Sequence, residues 1–434
     1  MNMNHLIARA IVVGVSALGI ATLSHAESFT IQLDGPMDPL YGIQNSSFHG
    51  KLTTCGYKLQ NENHAGCTGN VSYGAWFDGP INPYKYNGNT YFQVPHSQNF
   101  RFKLPSHNWG NRLTWILEPA SFTAGYPEGA PLSPPVTDTD QSHYNMAHWI
   151  YAPYVVGSTI YGLTHHEWYP EVAPFGGKIV ADSVPVWGIG WISSTNGGVS
   201  WAMKPINYSA PSNADRLVIV PEPYNSTYTQ QYGFAHPSNI VKEGIYYYSF
   251  VTSISYKPGG VQERGVSIIR TSNLASATGW QFWNGSSWTT VNHGTYQGGS
   301  STQQPYIFWK ETANACTILF AHNVRKHSPS GKWIILGSAS CANNPKRATF
   351  TWIDNLSNPS FLDKTAAGQP RYPEFINQNG YSMPANKYVS FFNIDPNISS
   401  GDNYETIGNK PLLVGVDEGL GFISHQFLTI TYTP

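Results

Sequence analysis

One unit recurs along this chain of 434 residues: a short run often carrying proline, a tight turn, and a second run ending in a polar residue. The copies are 79–86 with 90–96, 148–156 with 159–167, 236–241 with 245–253, 304–310 with 316–323, and 372–376 with 387–395. Between the runs stand Asn87-Gly88-Asn89, Gly157-Ser158 and Glu243-Gly244, residue types suited to hairpin turns. Two further strand-like runs follow each pair, as in 186–194 with 201–204, or 332–341 with 347–353. Self-similarity at a rough period marks a repeat architecture. A lone four-stranded sheet cannot bury both faces, but sheets packed radially cover one another. Four strands repeated five times therefore predict an all-β fold, a five-bladed β-propeller, against the competing β-sandwich or two-domain all-β reading.

Composition narrows the function classes. Lys and Arg number 24 against 25 Asp and Glu, a net charge of −1, and charged residues make up only 11%. That balance offers no electrostatic footprint for nucleic acid. Residues 10–23 form an apolar run followed by Ser24-His25-Ala26, the small-residue pattern of a cleavage site. A secretory signal peptide is expected over 1–26, with the mature chain secreted or periplasmic and free of the membrane. Export permits disulfides. The four cysteines allow three full pairings, of which Cys55–Cys67 and Cys316–Cys341 are favoured, the second across a hairpin centred near 328–330. The expected organisation is a signal peptide at 1–26, an N-terminal extension at 27–70 holding Cys55 and Cys67, and the propeller at 71–434. The strand at 29–33 is expected to pair with the last strands, 411–416 and 426–432, and latch the fold.

Topology predicts a working surface. Starts of first strands and ends of second strands must share one end of the assembly. The long connections 118–147 and 204–235 fall at that same end. Asp78, His148, His236 and Glu374 stand at the starts, and His96, His165, His166, Glu167, His322 and Asp395 at the ends. Acid–base chemistry on a sugar needs two carboxyl groups flanking the scissile bond, one ionised and one kept protonated. Asp78, Glu167 and Glu374 are the candidates. Glu222 lies in one of the long connections. His96, His148, His166, His236, Asn239, His322 and Trp168 are the candidate substrate contacts, since aromatic and polar side chains together suit sugar rings. His165 and His166 point to opposite faces of one strand, so one of them at most faces the axis. No cofactor is expected, and the alternative is a divalent metal held by His96, His166 and His322.

Certain segments resemble known families. Residues 194–201, Ser-Thr-Asn-Gly-Gly-Val-Ser-Trp, are similar to the Asp box of sialidase-type propellers, with Asn196 in the Asp place. That resemblance implies a turn tied by a polar side chain, with Trp201 packed into the blade. His165-His166-Glu167-Trp168 after Ile160-Tyr161-Gly162-Leu163 resembles the VYALxHxEY segment of secreted bacterial propeller proteins related to glycoside hydrolases. Residues 237–241 with 244–248 resemble their PSNIV…DGYYY, residues 270–274 with Trp280 and Trp283 their RTxDL…W…W, and residues 403–408 their NFETVG. More remotely, five blades resemble the arabinanase, xylosidase and levanase class, which implies three carboxylates at inner strands. Asp78 fits the first role. The second and third inner strands begin with His148 and His236 rather than acids, so Glu167 would have to substitute. The leading expectation is hydrolysis of glycosidic bonds in a poly- or oligosaccharide. The alternatives are a non-catalytic glycan-binding propeller and a polysaccharide lyase using His or Tyr with Arg or a metal.

Overall fold

The tight turns do what their residues allow. Asn87 and Gly88 take φ of 47° and 76°, the left-handed region where Asn and Gly are least strained. They join strand Asn82–Tyr86 to strand Asn89–Val94 in direct antiparallel register, Tyr86 opposite Asn89. The structure is a computed structural model. It describes residues 27–39, 79–95, 99–104, 116–119, 121–122, 141, 148–168, 185–204, 207, 213–257, 259–293, 304–310, 317–341, 344–364, 368, 370–381, 386–394, 403–417 and 423–434.

Among the described residues the regular structure is strand, apart from two short 3-10 helices at Ala214–Arg216 and Pro359–Phe361. Among the described residues the strands form four hydrogen-bonded sheets of 5, 12, 5 and 4 strands, and along them runs of four antiparallel strands follow one another as units. Unit one is Asn82–Tyr86, Asn89–Val94, Phe100–Leu104 and Ile116–Pro119. Unit two is His148–Val156, Thr159–Trp168, Val186–Ser194 and Ser200–Met203. Unit three is Val241–Glu243, Tyr246–Lys257, Val261–Thr271 and Gln281–Trp283. Unit four is Thr317–His327, Trp333–Cys341, Asn344–Ile353 and Glu374–Phe375. Unit five is Asn386–Phe392, Leu412–Asp417, Ile423–Thr433 and, from the other end of the chain, Ser28–Leu33. That last pairing, Ser28 opposite Thr433 through Leu33 opposite Leu428, is the expected latch.

Alternating side chains give each unit two apolar faces, and successive units use them on each other. Tyr84 and Tyr91 of unit one pack with Ile150, Ile160 and Ile192 of unit two. Leu163 and Ile189 meet Val251 and Ile269 between units two and three. Phe250 and Val266 meet Val324 and Ile335 between three and four, and Leu336 and Phe350 meet Val389 and Leu413 between four and five. Phe392 of unit five reaches Phe92 of unit one, ring centroids 5.5 Å apart. The turns after the first strands lie at one end, the turn end. The starts of the first strands lie at the other, the histidine end.

Two of the sequence-read copies are out of step by a strand. Run 304–310 does not open unit four: Phe308 exchanges backbone hydrogen bonds with Val266, in the third strand of unit three. The first strand of unit four is Thr317–His327, which the hairpin at 328–332 joins to Trp333–Cys341. Likewise Glu374 pairs with Phe350 as the last strand of unit four. A short Pro-led run reads alike at the start and at the close of a unit, and only its pairing partner tells which it is. The register places Thr317 opposite Ser340. Cys316, Cys55, Cys67 and the 1–26 segment lie outside the described residues.

Candidate functional site

The second unit supplies most of the histidine end. His148 starts its first strand and stands opposite His166 on the second. Their Nδ1 atoms are 2.7 Å apart, so one ring donates to the other. Both are buried. Burial holds each imidazole well below its usual value, with Arg216 next for His148, and His148 then Arg216 next for His166. The pair is therefore neutral. Gly190 makes room for it, since a Cβ there would collide with His166 Nε2.

His165, one residue earlier on the strand, points to the opposite sheet face, as alternation requires. Its ring lies between Trp149 (5.1 Å, 27°) and His236 of the 236–240 segment (5.0 Å, 6°). Trp187 meets both imidazoles edge-on, at 5.6 and 5.7 Å. His165 Nε2 lies 3.3 Å from Glu167 Oε1, whose side chain keeps 13% exposure. His236 holds a left-handed backbone, φ 48°. It touches Tyr151 of unit two at 5.7 Å, Phe320 of unit four at 4.9 Å and Tyr388 of unit five at 5.9 Å. His322 joins the belt through Tyr388 at 5.4 Å, its Nδ1 accepting the Val389 N–H at 3.0 Å. That bond leaves the proton on Nε2. A belt of imidazole, indole and phenol rings thus crosses four units, with Glu167 as the carboxylate in contact with it among the described residues.

The expected site residues divide accordingly. His148, His165, His166, His236, His322 and Glu167 come together at this end. Asp78, His96 and Asp395 lie outside the described residues. Glu374 does not join them: it sits exposed on the last strand of unit four. Asn239 is buried and serves as a clamp. Its Oδ1 accepts the Val324 N–H at 2.6 Å and its Nδ2 donates to Val324 O at 2.9 Å, tying unit three to unit four. Trp168 is core, packed on Val186, Leu217 and Tyr232 and edge-on to Tyr224 at 5.2 Å. Glu222 is half-buried, its carboxyl pushed up by burial, with the Tyr256 N–H 3.4 Å from Oε2. Gln141 braces that loop by bonding Glu222 O and the Tyr224 N–H. Among the described residues no group of three His, Cys, Asp or Glu could hold a metal ion.

Trp187, Tyr151 and Tyr388 were not singled out by sequence reading. The available signal was alternation: Trp187 stands directly opposite Glu167 across the sheet and so shares its face. At the turn end, the 194–201 segment behaves as its resemblance implies. Asn196 Oδ1 accepts the Ser200 N–H at 3.0 Å, and buried Trp201 donates to Gly198 O at 3.1 Å.

Comparison with protein-family models finds no match. Comparison with curated proteins finds none either. Among solved structures, the chain is similar to the catalytic domain of a Coprinopsis cinerea GH62 α-L-arabinofuranosidase: 10% identity, 93% of this chain and 98% of that one covered, TM-score 0.41. A thermostable family-43 glycoside hydrolase matches at 11% identity over 82% and 93%, TM-score 0.42. A Cellvibrio cellulosa α-L-arabinanase complexed with arabinohexaose matches at 12% identity over 82% and 91%, TM-score 0.37. Likenesses this loose carry no argument about substrate or mechanism.

Proposed function

We propose that the five units are the blades of a five-bladed β-propeller and that the chain is an exported, carbohydrate-active protein cleaving glycosidic bonds at the histidine end. The observation that carries this reading is the Glu167–His165 pair beside Trp149 and Trp187. A partly exposed carboxyl set among flat aromatic faces matches what a sugar ring and a glycosidic oxygen need. In the hydrolytic reading Glu167 exchanges a proton with the glycosidic oxygen or with water, while His165 orients the carboxyl through Nε2. Asp78, by its place in sequence before the first strand of unit one, is the proposed second carboxyl. Hydrolysis needs the two carboxyls roughly 5 to 10 Å apart across the bond.

A second reading has its own observation. His236 and His322 lie against Tyr151 and Tyr388, so imidazoles and phenols outnumber carboxylates in the belt. That set suits β-elimination from a uronate, in which a base takes the proton beside the sugar carboxylate and the glycosidic oxygen leaves. One experiment separates the readings: a glycan panel scored for new reducing ends and for absorbance of unsaturated uronates. Reducing ends alone support hydrolysis, both signals support the lyase, and retention without either supports a binder. Glycans neither cut nor bound would sink the whole reading.

A further inference from the structure

We infer that the glycan taken at the histidine end is acidic, a chain carrying uronate carboxylates, and that the Trp149–His165–Trp187 cluster recognises the carboxylate. This rests on the glycan reading above, but not on which chemistry breaks the bond.

The inference comes from what the cluster leaves unsatisfied. Trp149 Nε1, Trp187 Nε1 and His165 Nδ1 are shielded from solvent, and none has a hydrogen-bond partner among the described residues. Their rings are contiguous, Trp149 and Trp187 within 5.1 and 5.6 Å of His165. Trp187 and His165 are themselves 9% and 0% exposed. A buried polar group without a partner is costly, so three in one cluster call for a missing counterpart.

The missing counterpart has a chemical sign. An indole N–H only donates. Imidazole donates from one nitrogen when neutral and from both when protonated. With His165 Nε2 turned to Glu167, Nδ1 on the far side of the ring is the atom left for a ligand. A ligand oxyanion there would accept from both indoles. Sugar hydroxyls, which donate as readily as they accept, match a lining of mixed donors and acceptors. This lining is skewed toward donors. Behind it stand the neutral His148–His166 pair and the cation of Arg216, while Glu167 is the carboxylate in contact with the belt among the described residues. The cluster reaches solvent at Glu167 and Trp187, which sets the direction of approach.

The test is retardation in gels containing polygalacturonate, alginate or hyaluronate, each beside its carboxyl-reduced derivative, with neutral arabinan as a further control. The wild-type chain should bind at least one acidic polymer about tenfold more tightly than its reduced form. Trp187→Phe keeps an aromatic ring and removes the N–H. It should lose about tenfold on the acidic polymer and nothing on the reduced one. Trp149→Phe is the second variant, for use if circular dichroism shows Trp187→Phe unfolded. Equal binding to acidic and reduced polymers, or preference for arabinan, would overturn the acidic assignment and leave the glycan reading standing. Acidic preference that survives both substitutions in folded protein would overturn the role of the cluster. Failure to bind any polymer would overturn both inferences together.

Discussion

The two ends of the assembly handle buried polar groups in opposite ways. At the turn end, residues 403–407 lie across the first strands, and their polar groups are matched one by one. Asn403 Oδ1 accepts the Val155 N–H at 2.6 Å and Nδ2 donates to Val155 O at 3.0 Å. Tyr404, in a left-handed conformation at φ 57°, pairs its hydroxyl with Thr90 Oγ1 at 2.6 Å. Glu405 O accepts the Lys326 N–H, its carboxylate accepts the Lys242 N–H, and Thr406–Ile407 pairs in parallel with Lys326–His327. One segment thereby ties units one, two, three and four. At the histidine end, indole and imidazole nitrogens of Trp149, Trp187 and His165 are buried without such matches among the described residues. Where each donor meets an acceptor, the structure gains rigidity; donors left over are the ones the proposed ligand would engage.

The sharpest way to break this contrast is to remove the latch. Deleting residues 27–33 strips Phe29, Ile31 and Leu33 from the interface of units four and five. At roughly 1.5–3 kcal/mol for each of the three buried side chains, about 5–9 kcal/mol should be lost. The melting temperature should fall steeply, and an unchanged melting curve would show that the first strand is only a tail. Next in size is Glu167→Gln, which keeps shape and hydrogen bonding but cannot exchange a proton. In the hydrolytic reading it should slow cleavage at least about a hundredfold with no change in thermal stability. Intact turnover would remove Glu167 from the chemistry.

Asn403→Ala tests the other end. It orphans the N–H and carbonyl of Val155, at about 1–3 kcal/mol for a buried unpaired group. The expected result is a lower melting temperature with the rate per folded molecule unchanged at 25 °C. A variant that stays stable but loses rate would mean that the two ends are not separable. The smallest effect is on acid sensitivity. His148 and His166 have depressed folded values, so below about pH 6.5 the unfolded chain binds protons that the folded rings refuse. Stability is full above that pH and falls as acid is added, until the folded rings themselves titrate. His293 and His327, also depressed by burial, add to the same trend. The melting temperature should drop between pH 7 and 5, less steeply in the His148→Asn, His166→Asn double variant. Equal slopes in the two proteins would acquit the pair.

The hairpins of units one to three were readable because each turn is short and built from Asn, Gly or Ser between alternating apolar runs. Their strands fall where the sequence places them, within a few residues. Units four and five slipped because 304–310 and 372–376 carry the same Pro-led look as a first strand, yet pair with Val266 and with Phe350. The site was half legible on the same grounds. Polar residues recurring at strand ends pointed to His148, His165, His166, Glu167, His236 and His322 together. Glu374 shares that position in the pattern but stands at a sheet edge, and Asn239, a candidate contact, is bonded to Val324.

By itself the sequence determined the strand-and-turn character, the repeat, the latch between the two termini and the opposite orientations of His165 and His166. These follow from local rules: a period of two along a strand, and a few residue types that tolerate tight turns. Only the tertiary structure decided which imidazoles meet. His165 stacks on His236, 71 residues away, while its neighbour His166 bonds to His148. The physical reason is that alternation says only that two side chains part company. What each then touches depends on which unit packs against that face, a contact between residues far apart in the chain that no local pattern encodes.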